Sequence, residues 1–147
     1  MDADALRRQL RWLTNLHWLA AALLVMGPTV ASEVLGLDVP LLPLQATGLA
    51  LALSNLISLA RLRGLDARDA ATGPRALIIL ADCQLAVDLV VLTAVVQFTG
   101  GASSPMVLFY LFPAAFAGTA LPPGHAYGCA TLAPILCAAV LAGEAGD

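Results

Sequence analysis

The chain has 147 residues, 60% of them hydrophobic and only 12% charged, with a formal net charge of -3 at pH 7. Its mean hydropathy is +0.87, whereas soluble domains are about 45–50% apolar. A water-soluble globule, a disordered chain and a nucleic-acid-binding surface are therefore excluded, and the composition predicts an all-α integral membrane bundle built as a single domain over residues 1–147.

In chain order, residues 1–11 form a cytoplasmic N-terminal segment carrying Arg7, Arg8 and Arg11, and residues 12–141 form the helical bundle. A spanning helix needs about 20 mostly apolar residues, and five runs approach that length: 12–32, 41–60, 76–98, 105–121 and 125–141. The first also looks like a secretory signal, with Thr29-Val30-Ala31 as a loose cleavage site. It is nevertheless long enough to span, and Trp12 and Trp18 sit where an aromatic belt would lie. Short hairpin loops with Gly and Pro breakers join the runs, at Asp38-Val39-Pro40, Thr72-Gly73-Pro74, Thr99-Gly100-Gly101 and Pro122-Pro123-Gly124.

Every basic residue is an arginine, in two clusters: Arg7, Arg8 and Arg11, then Arg61, Arg63, Arg68 and Arg75 between runs two and three. Short Arg-rich loops stay cytoplasmic. The expectation is a multi-pass protein of a bacterial inner membrane, N-terminus inside and C-terminus outside, with the lipid bilayer as its first partner and no nucleic acid.

The third run holds Asp82, Gln84, Asp88 and Gln97. A carboxyl group at a helix centre costs about 2.5–3.5 kcal/mol on insertion scales, so such residues face protein or a water-filled cavity. At 100° per residue, Gln84 and Asp88 share one face with Thr99, and Asp82, Thr93 and Gln97 share roughly the opposite one. The third helix is thus expected at the centre of the bundle. Asp82 is close enough to the helix start to reach the cytoplasmic interface. Asp88, deeper, is expected to find Ser54, Asn55 or Ser58 of the second span, as interhelical glue or as a proton-linked group. Neither His17 nor His125 has a second ligand at helical spacing, and Cys83, Cys129 and Cys137 form no C-x-x-C pair, so no metal site is expected. Pro28 and Pro134 should kink the first and fifth helices.

In the third connection, two glycines release the helix, Ser104 can cap the next one, and Pro105 suits its first turn. Phe98, Phe109, Phe112 and Phe116 gather nearby, the last three spaced as one helical stripe.

The stretch from Asp88 through Gly100-Gly101-Ala102-Ser103-Ser104-Pro105-Met106 to Leu108-Phe109-Tyr110-Leu111-Phe112-Pro113 resembles the sensor region of membrane-bound histidine kinases of the RegB/PrrB type. Arg11-Trp12, Leu53-Ser54-Asn55-Leu56 and Ala120-Leu121-Pro122-Pro123 fit that family more loosely. The family has six transmembrane helices and a G-G-x-x-N-P-F motif in the third connection that is associated with quinone sensing. The resemblance implies a redox-sensing input module of a two-component system, with ubiquinone as its ligand and Phe98, Gly100, Gly101, Ser103, Ser104, Pro105, Met106 and Phe109 as the candidate site. Ser104 stands where the family has Asn, and Met106 where it has Phe, which removes an amide donor and a stacking ring. The sixth helix and the kinase core are not in this sequence, so the chain is expected to be the N-terminal membrane part of a longer kinase without catalysis of its own. It would form a homodimer through the kinase and reach a response regulator only through the missing domains. A second expectation from the residues is a small proton-linked transporter or channel subunit using Asp82 and Asp88; a third is a membrane assembly factor without a ligand.

Overall fold

A computed structural model describes residues 3–67 and 74–144, and every regular element in them is helical. The elements are α1 (Ala3–Glu33), α2 (Leu41–Ala67), α3 (Pro74–Phe98), a 3-10 turn (Gly101–Ser103), a 3-10 segment (Pro105–Tyr110), α4 (Leu111–Ala120) and α5 (Pro123–Glu144). Among the described residues, α1, α2 and α3 are the helices both long and apolar enough to cross a membrane. Arg68, Thr72 and Gly73 of the second basic cluster and its turn lie outside the described residues.

α1 begins nine residues before the apolar run, so much of the expected N-terminal segment is helix. Its cause is a second periodicity: Leu6, Leu10, Leu13, His17 and Ala21 recur every three or four residues and are all buried. Leu6, Leu10 and Leu13 share one core cluster with Leu62, because α2 also overruns its apolar stretch and ends at Ala67. Where the two overhangs meet, Asp66 Oδ2 accepts from Arg11 at 2.7 Å, with Arg7 Nε 3.7 Å from Asp66 Oδ1. Such partly exposed pairs add about 0–1 kcal/mol; their role is to fix which helix ends lie together.

At the other end of this hairpin, Gly36 takes the left-handed conformation (φ 66°), and the Leu37 N–H returns to the Ala31 carbonyl at 3.0 Å. α1 continues through Pro28. Close by, Gln45 Nε2 donates to the Val25 carbonyl at 3.2 Å and to Thr29 Oγ1 at 3.0 Å. One turn on, Gly48 packs so tightly on α1 that an added Cβ would lie 2.9 Å from both Leu24 Cβ and Val25 Cγ2. Further along, Asn55 Nδ2 donates to the Thr14 carbonyl at 3.0 Å. Small residues and side-chain amides hold helices together in this way where apolar burial gives no net drive.

α3 touches every other element, with α1 and α2 on one side and the 3-10 pieces, α4 and α5 on the other. That is the central position its two polar faces predicted. Less than a third of the most apolar window of α1, α2 or α3 is buried. Leu19, Leu23, Met26, Leu42, Leu49, Leu53, Ile79 and Val90 instead point outward, a surface suited to lipid rather than water.

The fourth run is the least regular. Pro105–Tyr110 is a six-residue 3-10 segment, longer than the three or four residues at which such helices usually stop. Pro113 explains where it changes, since it has no N–H for the Phe109 carbonyl, and the Leu111 N–H bonds back to Leu108. With 2.0 Å rise in the 3-10 part and 1.5 Å in α4, residues 105–120 extend about 27 Å.

Candidate functional site

α3 carries two polar centres, and each takes one of the chain's two histidines. On the face toward α1, His17 Nε2 lies 3.1 Å from Asp88 Oδ2, while its Nδ1 lies 2.8 Å from Gln84 Nε2. His17 and Gln84 are buried and Asp88 nearly so. An amide nitrogen can only donate, so Nδ1 accepts and the ring proton sits on Nε2, aimed at the Asp88 carboxylate. Protonating Nδ1 would set two donors against each other, and the Gln84 amide would have to turn over. The centre therefore links the proton state of His17 to the orientation of Gln84. Gln84 also lines an open groove of about 600 Å³ between α2 and α3, together with Ser54, Ser58, Arg61 and Cys83.

Of the partners expected for Asp88 on the second span, Asn55 bonds Thr14 and Ser54 bonds the Leu51 carbonyl, while Ser58 lines the groove between α2 and α3. The true partner is on α1. His17 lies on the buried stripe of α1, where a polar ring must find a hydrogen bond, and that stripe was the available signal.

On the other side of α3, Asp82 Oδ2 meets His125 Nδ1 at 2.7 Å, and both side chains are over a third exposed. His125 is the third residue of α5 and Asp82 the ninth of α3, so this pair lies near the starts of both helices. Thr93, on the same side, bonds the Tyr110 hydroxyl at 2.7 Å. Gln97 is exposed at the far end of α3.

The hairpin after α3 is built as a rigid corner. Gly100 (φ 109°) and Gly101 (φ 54°) both occupy backbone space that L side chains rarely enter. Ser104 is buried, shares a hydrogen bond with Thr99 Oγ1 and accepts from the Met106 N–H at 3.2 Å, with Pro105 in the first position. The predicted cap is therefore present, although it opens a 3-10 rather than an α-helix. Ser103 is exposed, Met106 packs on the core, and Phe98 and Phe109 are 37% and 57% exposed. The expected phenylalanine stripe is divided, because the 3-10 segment rotates Phe109 away. Phe116 enters the core, Phe112 stacks on Trp12 with centroids 6.2 Å apart, and Tyr110 is the buried aromatic of this segment. Ser104→Ala should lower stability by about 1 kcal/mol through loss of the cap, and a urea or SDS titration in detergent would measure it. An unchanged midpoint would mean that the prolyl turn alone holds the corner.

The class this fold defines is an all-helical bundle which, among the described residues, has three helices long and apolar enough to cross a membrane and two histidine–aspartate contacts on its central helix. No family model, curated protein or solved structure matches the chain.

Proposed function

We propose that the chain is the membrane-embedded sensory input module of a two-component histidine kinase, responding to redox state through a quinone. The observation that carries this reading is the double-glycine corner at the end of α3, which combines a fixed turn, an exposed Ser103 hydroxyl and two outward aromatic rings with attachment to the central helix. A quinone ring laid on Phe98 or Phe109 could accept from Ser103 while its tail stayed in lipid. Ser104 is already committed within the turn, so Ser103 is the donor in this scheme. Oxidised and reduced quinone differ in donor capacity, and a ligand with different affinity for two states shifts their populations. The test is quinone-analogue binding to the protein in nanodiscs. Affinity should rise in Met106→Phe, which restores a stacking ring, and vanish in Gly101→Val, which a φ of 54° forbids. Unchanged affinity in both would reduce the motif to a turn.

In this scheme all five helical segments span. The roughly 27 Å reach of residues 105–120 approaches the hydrocarbon thickness of about 30 Å, and α5 has 22 residues. The arginine distribution sets the N-terminus and the Arg61–Arg75 connection in the bacterial cytoplasm. A phosphatase active only in the periplasm should work when fused after Asp147 and fail after Leu65; activity only at Leu65 would invert the topology.

A second reading, a proton-linked transporter or channel subunit, is favoured by one observation, the His17–Gln84–Asp88 centre near the middle of α1 and α3. Asp88→Asn separates the two. A transporter loses proton-coupled flux in proteoliposomes, whereas a sensor shows no flux to lose and changes only the kinase output of the full chain.

A further inference from the structure

The His17–Gln84–Asp88 centre has a second arrangement with the same number of hydrogen bonds. In the arrangement described above, Gln84 Nε2–H donates to His17 Nδ1 at 2.8 Å, and the ring N–H is directed at Asp88 Oδ2, 3.1 Å from Nε2. One added proton has two places to go, and both change the same atom. If it joins the ring, Nδ1 becomes an N–H and His17 faces Asp88 as an ion pair. If it joins Asp88 and is donated to Nε2, the ring proton moves to Nδ1 and both groups are neutral. In either case Nδ1 donates, and Gln84 must offer Oε1 rather than Nε2. One hydrogen bond is lost and one is gained, so the two arrangements differ in the proton and in which way the amide is turned.

The turn also changes the end of the amide that stays free. Among the described residues nothing bonds Gln84 Oε1; after the turn an NH2 group is free instead. Gln84 is only 5% exposed, yet it lines the α2–α3 groove beside Ser54 and Ser58. Few other titratable groups bear on the centre. On α1 the nearest in sequence is Arg11, six residues back and bonded to Asp66. Residues 41–60 of α2 include none, and Arg61 lines the groove. On α3, Asp82 is engaged with His125 and Cys83 lines the groove. Across α3, the Cys129 thiol of α5 is near enough to feel the Asp88 charge, α4 has no ionisable residue, and the Tyr110 hydroxyl is bonded to Thr93.

We propose that His17, Asp88 and Gln84 form a proton-operated switch, in which one proton taken up by the His17–Asp88 pair reverses the Gln84 amide and so exchanges an acceptor for a donor on the wall of the α2–α3 groove. Protonation of a histidine that flips a neighbouring contact is a known way to build a switch. The device suits a sensor or a transporter equally.

The test is a pH titration of the full chain in phosphatidylcholine nanodiscs, with nitrogen-15 in histidine rings and glutamine amides. His125→Asn leaves His17 as the one histidine of the chain, and the Gln84 amide signal is the one missing in Gln84→Met. At high pH Nδ1 should appear as a lone-pair nitrogen and Nε2 as an N–H. As pH falls, Nδ1 should become an N–H, and the Gln84 amide signal should move at the same midpoint. Gln84→Glu, ionised, carries acceptors only and should hold Nδ1–H at a pH where the native ring shows the lone pair. If that variant is not recovered folded, the titration alone decides. The proposal is overturned by an Nδ1 that keeps its lone pair at every pH where the bundle stays folded, whether no proton is taken up or Asp88 holds it with its O–H turned aside. It is equally overturned by a His17 titration that leaves the Gln84 signal unmoved. The readout involves no quinone, kinase output or flux, so failure of the switch is distinct from failure of either functional reading.

Discussion

Asp88→Lys is expected to remove folded protein from the membrane fraction, while Asp88→Asn retains it. Lysine brings an insertion cost of about 2.5–3.5 kcal/mol near mid-helix, and here it would also lie against His17 in place of a carboxylate. Asparagine keeps an acceptor for Nε2–H, and interhelical hydrogen bonds of this kind contribute only about 0.6 kcal/mol, at most about 1.7. The pairing itself is tested by a cycle. His17→Leu strands the Asp88 carboxyl, and His17→Leu with Asp88→Leu should recover much of the loss, because the buried polar group goes with its partner. Quantitative membrane yield and SDS unfolding of the four proteins measure this; equal yields for the Asn and Lys variants would place Asp88 outside a packed interior.

The second large effect belongs to Gly48. Gly48→Val should destabilise the protein by about 1–3 kcal/mol, the usual range for overpacking. The added Cβ would lie 3.1 Å from the Val25 backbone nitrogen as well as 2.9 Å from two side-chain atoms, so α1 itself must move. The control is Gly64→Ala, in α2 but with nothing within 4 Å of its Cβ. It should be neutral or stabilising by up to about 1 kcal/mol through helix propensity. Equal effects would mean that α1 and α2 are not held at this distance.

How far the sequence could be read is clear from three places. The central position of α3 and the cap at Ser104 follow from spacing along one helix or one turn, and both were legible. The partners of Asp82 and Asp88 were not. Each partner is a histidine on a different helix, 43 and 71 residues away in sequence, and helical spacing constrains neighbours on one helix only. The rotation of α1 and α5 about their own axes decides these contacts. Hydropathy likewise began the first helix too late and ended the second too early, because Leu6, Leu10 and Leu62 form a protein-facing stripe among charged residues. The 3-10 path of Pro105–Tyr110 has no apolar-pattern signature, and Pro113 was the local cue to it.

α3 is keyed on two sides. Asp88 and Asp82 are six residues apart, which places their directions about 120° apart around the helix axis, and each is latched to a histidine on a different neighbour. A shaft held that way cannot spin without opening both latches. Its remaining freedom is to slide or tilt, and either displacement is passed to α1 and α5 together. A push on the glycine corner at one end of α3 would therefore arrive as a shared shift of two histidines on opposite flanks of the bundle.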